Sequence, residues 1–223
     1  MSVRRWSSVG RRFTVTAVVF IAYAAQATAA GLDAAPDMPV EPWAGAYIGA
    51  HAGYASLAAA NSVSDVFAQS WTQKADGVMG GVLVGYNFDM GDFLLGLEAD
   101  AGFGFVKDTD TRPGLGPVTI TDHGQHTFRG RAGMPLGPGL LYATGGLALT
   151  DVWAKSPAGR DKQFLLGFVV GAGFETFIHE RLSLRAEYLY ASFGEETYRI
   201  AATAMKSDLD SHSVRVGIAW HVW

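Results

Sequence analysis

The chain has no cysteine. Disulfide staples, thiolate nucleophiles and cysteine-bound zinc or iron–sulfur centres are therefore excluded. Charged residues are scarce at 17%, against roughly 25% in an ordinary soluble domain. That rules out a disordered polyelectrolyte and a charge-laced helical array. The formal charge of −4 supplies no basic footprint for nucleic acid. Past the N-terminal region, one charge-free stretch is long enough to cross a bilayer as a helix, residues 132–150. It contains Pro135 and Pro138 and the glycines Gly133, Gly137, Gly139, Gly145 and Gly146. Proline costs about 3 kcal/mol inside a helix, so the stretch reads as two strands joined at 135–139. Glycine is plentiful, 28 of 223 residues, with no collagen period. At about 1 kcal/mol per helical site it argues against a helix bundle.

The N-terminus has the layout of a secretory signal. Arg4, Arg5, Arg11 and Arg12 precede the apolar stretch from Phe13 to Ala25, and Ala25-Gln26-Ala27 or Ala27-Thr28-Ala29 fits small-x-small cleavage. The apolar stretch is short for a spanning helix. Residues 1–29 are expected to be removed, which takes the formal charge from −4 to about −8. Residues 30–42, with Pro36, Pro39 and Pro42, read as an extended periplasmic linker. Residues 43–223 form the domain.

That domain alternates apolar and polar residues with period two, the signature of strands. Ile48, Ala50, Ala52 and Tyr54 oppose Tyr47, Gly49, His51 and Gly53. Phe93, Leu95, Leu97, Ala99 and Ala101 oppose Gly96, Glu98, Asp100 and Gly102. Val214, Val216, Ile218, Trp220 and Val222 oppose Ser213, Arg215, Gly217 and His221. Eight such segments are found, longer than the five or six residues of an ordinary strand and matching the 9–11 that cross a membrane. The connections alternate in length. Residues 56–75, 106–125, 152–162 and 194–210 are long; 89–92, 135–139 and 179–181 are short. Long external loops and short periplasmic turns are the pattern of an up-and-down outer-membrane barrel. A lipocalin-like barrel with its apolar face inward would share the alternation, but strand length and loop asymmetry favour the membrane. The fold class expected is all-β, an eight-stranded antiparallel up-and-down transmembrane β-barrel. Trp43, Tyr54, Tyr86, Phe88, Tyr188, Tyr190, Trp220 and Trp223 are the candidates for interfacial aromatic girdles.

Several segments resemble the small outer-membrane barrels of alpha-proteobacteria, the outer-membrane immunogenic or porin-family proteins, and more loosely the OmpA-like transmembrane domain. They are WAGAYIGAHAG (43–53), GGVLVGYNF (80–88), LGLEAD (95–100), FRGRAG (128–133), LYATGGLA (141–148), LSLRAEYLYASFG (182–194) and SVRVGIAW (213–220). The resemblance implies a location in the bacterial outer membrane, with outer-membrane lipids and the barrel-assembly machinery as partners. It also implies an abundant surface antigen with at most weak pore activity. Such barrels usually end on two aromatics with one residue between them, both on the lipid face; here Trp223 stands one step out of that register.

The expected interior face gathers Glu98, Asp100, Glu175 and Glu187 against Arg129, Arg131, Arg185 and Arg215. Isolated buried charge is costly, so these eight are expected to form a polar lumen network, structural or gating. His123, His126 and His212 lie towards the external rim without the partners a metal site would need. No catalytic residues, metal ligands or cofactor are expected, and no phosphate-binding glycine motif is present. The function expected is structural: envelope integrity and display of surface loops. The alternatives are a small ion-conducting porin and an adhesin or ligand binder acting through the long loops. Host-surface and peptidoglycan contacts stay open.

Overall fold

The computed structural model describes residues 43–63, 69–104, 106–112, 116–156, 159–200 and 203–222. The expected signal peptide (1–29), the linker (30–42) and Trp223 lie outside the described residues. The strands are β1 (Gly45–Val63), β2 (Gln69–Asp89), β3 (Leu94–Gly104), β4 (Val106–Arg112), β5 (Gly116–Leu136), β6 (Gly139–Ser156), β7 (Gly159–His179), β8 (Leu182–Ile200) and β9 (Thr203–Val222).

Every neighbour pairs antiparallel, in the order β3-β2-β1-β9-β8-β7-β6-β5-β4, and β3 also pairs with β5. β3 and β4 pair with successive stretches of the same strand, Leu94 with Gly133 and Val106 with Asp122. The nine segments therefore make eight staves, and the β3–β5 pairing closes them into a barrel. Over the span of β3 closure leaves no unpaired sheet edge, the condition for a sheet to sit in hydrocarbon. Following paired residues once round the wall leads from Leu94 through Gly133, Tyr142, Gly173, Glu187, Arg215, Gly53 and Met79 to Gly104. The strands are thus staggered by ten residues per turn, which for eight strands means a tilt of about 40°.

Alternation sets the two faces. Val78, Val82, Val84, Leu97, Phe128, Leu147, Phe168, Val216 and Ile218 are all exposed on the outside, while Leu83, Glu98, Arg129, Val169, Glu187 and Arg215 are buried inside. A wall with this much contiguous apolar surface outside and charge inside is the inverse of a soluble barrel. It fits a bilayer.

Two expectations are corrected. The described residues of 56–75, 106–125, 152–162 and 194–210 are not irregular loops: strands run on into these segments. Ala58 pairs with Lys74 and Val63 with Gln69; Arg112 pairs with Gly116, Ser156 with Gly159 and Ile200 with Thr203. Antiparallel pairing satisfies backbone groups whatever the side chains are. Apolar alternation lasts only as long as one face meets lipid, so the sequence pattern marks the bilayer slab and not the strand. The register shifts near that limit, at Asp122–Gln125 and Ser192–Glu195. Gly124 (φ +142°) and Gly194 (φ +72°) sit in those bulges, where a side chain is strained. The second correction is Trp43. It is fully buried, not part of a girdle. Tyr54, Tyr86, Phe88 and Trp220 are exposed on the lipid face, and Tyr188 and Tyr190 are half-buried there.

Candidate functional site

The barrel interior is the site, and it is layered. At the short-turn end Trp43, Leu94 and Leu140 pack together against Phe177. The Trp43 and Phe177 rings are 4.3 Å apart, and Asn87 Nδ2 donates to the Trp43 carbonyl at 2.8 Å. At the hairpin end a second apolar layer closes the tube. It is made by Ala148, Leu165, Val169, Leu189, Ala191 and Phe193 on one side, and by Ala55, Leu57 and Met79 on the other, with Leu209 touching both.

Between these layers lies the ionic slab. All eight expected lumen residues point into it and all are buried: Glu98, Asp100, Arg129, Arg131, Glu175, Arg185, Glu187 and Arg215. They divide into three groups. Arg129 and Arg185 form a closed square with Glu98 and Glu187. Arg129 pairs with Glu98 and, at 3.0 Å, with Glu187. Arg185 reaches Glu98 at 2.7 Å and Glu187 at 3.5 Å. Arg131 pairs with Glu175 at 2.9 Å. Arg215 makes one longer contact, 3.4 Å to Asp100. The square joins side chains from β3, β5 and β8, so it ties opposite walls of the tube together.

Five further side chains join these groups, and the sequence pattern does not assign them to the network by type. The Tyr47 hydroxyl donates to Glu98 at 2.8 Å and accepts from Arg131 at 3.2 Å. Tyr142 donates to Glu187 at 3.1 Å and accepts from Arg185 Nη2 at 3.0 Å; its ring lies 4.1 Å beneath the Arg131 guanidinium. Ser183 donates to Glu175 at 2.6 Å, and His221 Nε2 lies 3.3 Å from the same oxygen. His51 Nε2 lies 2.6 Å from Asp100. The available signal is strand parity: His221 shares the face of Arg215 on β9, Ser183 that of Arg185 on β8, and Tyr47 that of His51 on β1.

The remaining histidines are not gathered. His126 is exposed on the outer face, and His212 is half-buried there, 2.7 Å from the Tyr188 hydroxyl. The side chain of His123 lies outside the described residues. No group of three metal-ligating side chains occurs among the described residues.

Tyr142 is held by close packing. A Cβ placed on Gly173 would collide with its hydroxyl and sit 2.5 Å from its Cζ. Gly173→Val should therefore displace the ring from Arg131 and Arg185 and destabilise the barrel by about 1–3 kcal/mol, read as a lower urea midpoint of unfolding in detergent.

A closed antiparallel wall, lipid-facing outside and ion-paired within, defines an integral outer-membrane β-barrel. The chain belongs to the outer membrane protein beta-barrel domain family, whose model matches residues 13–221. It is similar to the 25 kDa outer-membrane immunogenic protein of Brucella abortus, 29% identical over 205 residues that cover 87% of this chain and 91% of that protein. It is also similar to the 22 kDa outer membrane protein of Rhizobium leguminosarum, 30% identical over 184 residues that cover 82% and 80% of the two chains. Among solved structures, OprG of Pseudomonas aeruginosa superposes with a TM-score of 0.52 at 15% identity, covering 80% of this chain and 97% of that one. That likeness is one of fold. The protein is an outer-membrane β-barrel similar to the alpha-proteobacterial immunogenic proteins.

Proposed function

We propose that the protein is a closed structural barrel that supports envelope integrity and carries four strand hairpins outward beyond the bilayer. The observation that carries this reading is the layering of the lumen. An ion-paired slab lies between two apolar layers, so an ion would have to cross both and break the Glu98–Arg129–Glu187–Arg185 square. Taking each ion from water into such a layer costs several kcal/mol. In planar bilayers the folded wild-type barrel should show no sustained conductance steps. Reproducible single-channel steps that change in size on replacing Arg129 and Arg131 by alanine would favour a small porin instead.

The reading is non-enzymatic. Ser183, His221 and Glu175 form a serine–histidine–carboxylate cluster, in which the Ser183 hydroxyl donates to Glu175 at 2.6 Å and its oxygen lies 3.2 Å from His221 Nε2. All three are buried, and His221 packs against Phe177 and Trp43. The trio locks the periplasmic end of the slab. The reading also includes export by cleavage of residues 1–29, with 30–42 as periplasmic linker. N-terminal sequencing of protein extracted from outer membranes should then begin just after Ala27 or Ala29; a chain that still begins at its first residues would remove that step.

A further inference from the structure

We infer that the outer edge of the ionic slab is a binding site for a small monovalent anion of chloride size, held by Arg215. Among the described residues Arg215 is the least satisfied cation in the lumen. It is 2% exposed, yet its one ion pair among them is the 3.4 Å contact to Asp100, whose other oxygen is engaged by His51 at 2.6 Å. Its Nε and Nη2 have no partner among the described residues. Arg129, Arg131 and Arg185 each have at least two hydrogen-bond partners.

The groups around it are short of acceptors in the same way. Thr127 is the cross-strand partner of Asp100, so it stands beside the carboxylate that the Arg215 guanidinium reaches. Its buried Oγ1 is unpartnered among the described residues, as are Arg129 Nε, two residues inward on the same face of β5, and Gln125 Nε2, two residues outward. Arg215, Thr127, Arg129 and Gln125 thus each carry a buried donor without a partner among the described residues, and each unmet donor costs about 1–3 kcal/mol.

The choice between water and an anion follows from counting protons. A water molecule accepts two hydrogen bonds but brings two protons that need acceptors. Outward the lumen carries the apolar Val169, Leu189, Ala148 and Met79 and, on β9, the buried hydroxyls of Ser213 and Ser211. An anion supplies acceptor capacity and brings no protons. Asp100 and Glu187 repel it, but His51 engages the first, and Arg129 and Arg185 engage the second.

This inference rests on the lumen being closed, and its test is separate from conductance. Crystals of the wild-type barrel grown with sodium bromide should give an anomalous bromine peak within hydrogen-bond distance of Arg215 Nε and Nη2. Density there without anomalous signal, or no density, overturns the site even if the barrel proves non-conducting. In solution, the thermal unfolding midpoint should be higher in sodium chloride than in sodium gluconate at equal ionic strength. Arg215→Gln should abolish that difference while keeping the heat-dependent gel shift of a folded barrel. An unchanged chloride effect in Arg215→Gln contradicts the assignment. If that variant does not fold, the bromide crystal of the wild type decides alone.

Discussion

Replacing Glu98 by alanine is expected to cost the barrel about 3–5 kcal/mol, the usual penalty for removing one member of a buried ion-pair group. Glu98 accepts from Arg129, Arg185 and Tyr47 together. Its loss leaves two guanidinium groups sharing Glu187, deep in a tube whose ends are apolar. Urea titration of refolded protein, followed by tryptophan fluorescence and by gel migration with and without boiling, reads the change. Glu98→Gln should be milder, because the amide oxygen still accepts one bond, but it remains destabilising since the charge is lost. Replacing the whole square by apolar residues of similar volume is a different experiment. Such swaps are often neutral or stabilising, so the square is better understood as fixing one register of the closed wall than as a store of stability. If Glu98→Ala proved as stable as wild type, the ion pairs would not be what holds the lumen.

Val84→Arg tests the opposite face and should be the most damaging change on the outside. Val84 is exposed near the middle of the outward series on β2, between Val78 and Phe88. An arginine at the centre of the lipid belt of a barrel costs about 2–4 kcal/mol, falling towards zero at the interfaces. The same substitution at Val78 or Phe88, nearer the ends, should cost less. This gradient separates a membrane barrel from a soluble one, in which surface arginine is harmless at every height. Equal and small effects at all three positions would contradict a lipid-facing wall.

The faces of the sheet are legible in the sequence because lipid and lumen impose opposite demands on alternate residues. Leu97 against Glu98 and Phe128 against Arg129 already state which way each strand faces. The strand ends are not legible. Beyond the bilayer no lipid imposes alternation, so the run Ser70–Lys74 pairs in register with Ala58–Ser62 without any apolar rhythm. Trp43 misleads for a related reason. An aromatic at a strand end looks like girdle by type, whereas Trp43 precedes β1 and packs inside, its ring on Phe177 and its carbonyl held by Asn87. The charged lumen residues are predictable as a set, but their grouping is not. That Arg129 and Arg185 share two carboxylates while Arg215 has one distant partner depends on the ten-residue stagger, which decides the heights at which side chains from opposite staves meet. At the C-terminus, His221 turns inward to Glu175, which leaves Trp220 and Val222 on the lipid face.

The most direct test of the account uses the absence of cysteine, since a single introduced thiol is then the only one in the chain. Spin labels at Leu97→Cys and Phe128→Cys, and at the inward Thr144→Cys and Ser213→Cys, are measured in lipid vesicles for collision with oxygen and with a water-soluble nickel chelate. The account predicts high oxygen and low nickel contact at 97 and 128, and little contact with either at 144 and 213. Nickel contact at 144 and 213 would mean a water-filled lumen, and nickel contact at 97 and 128 would mean that the wall faces the other way.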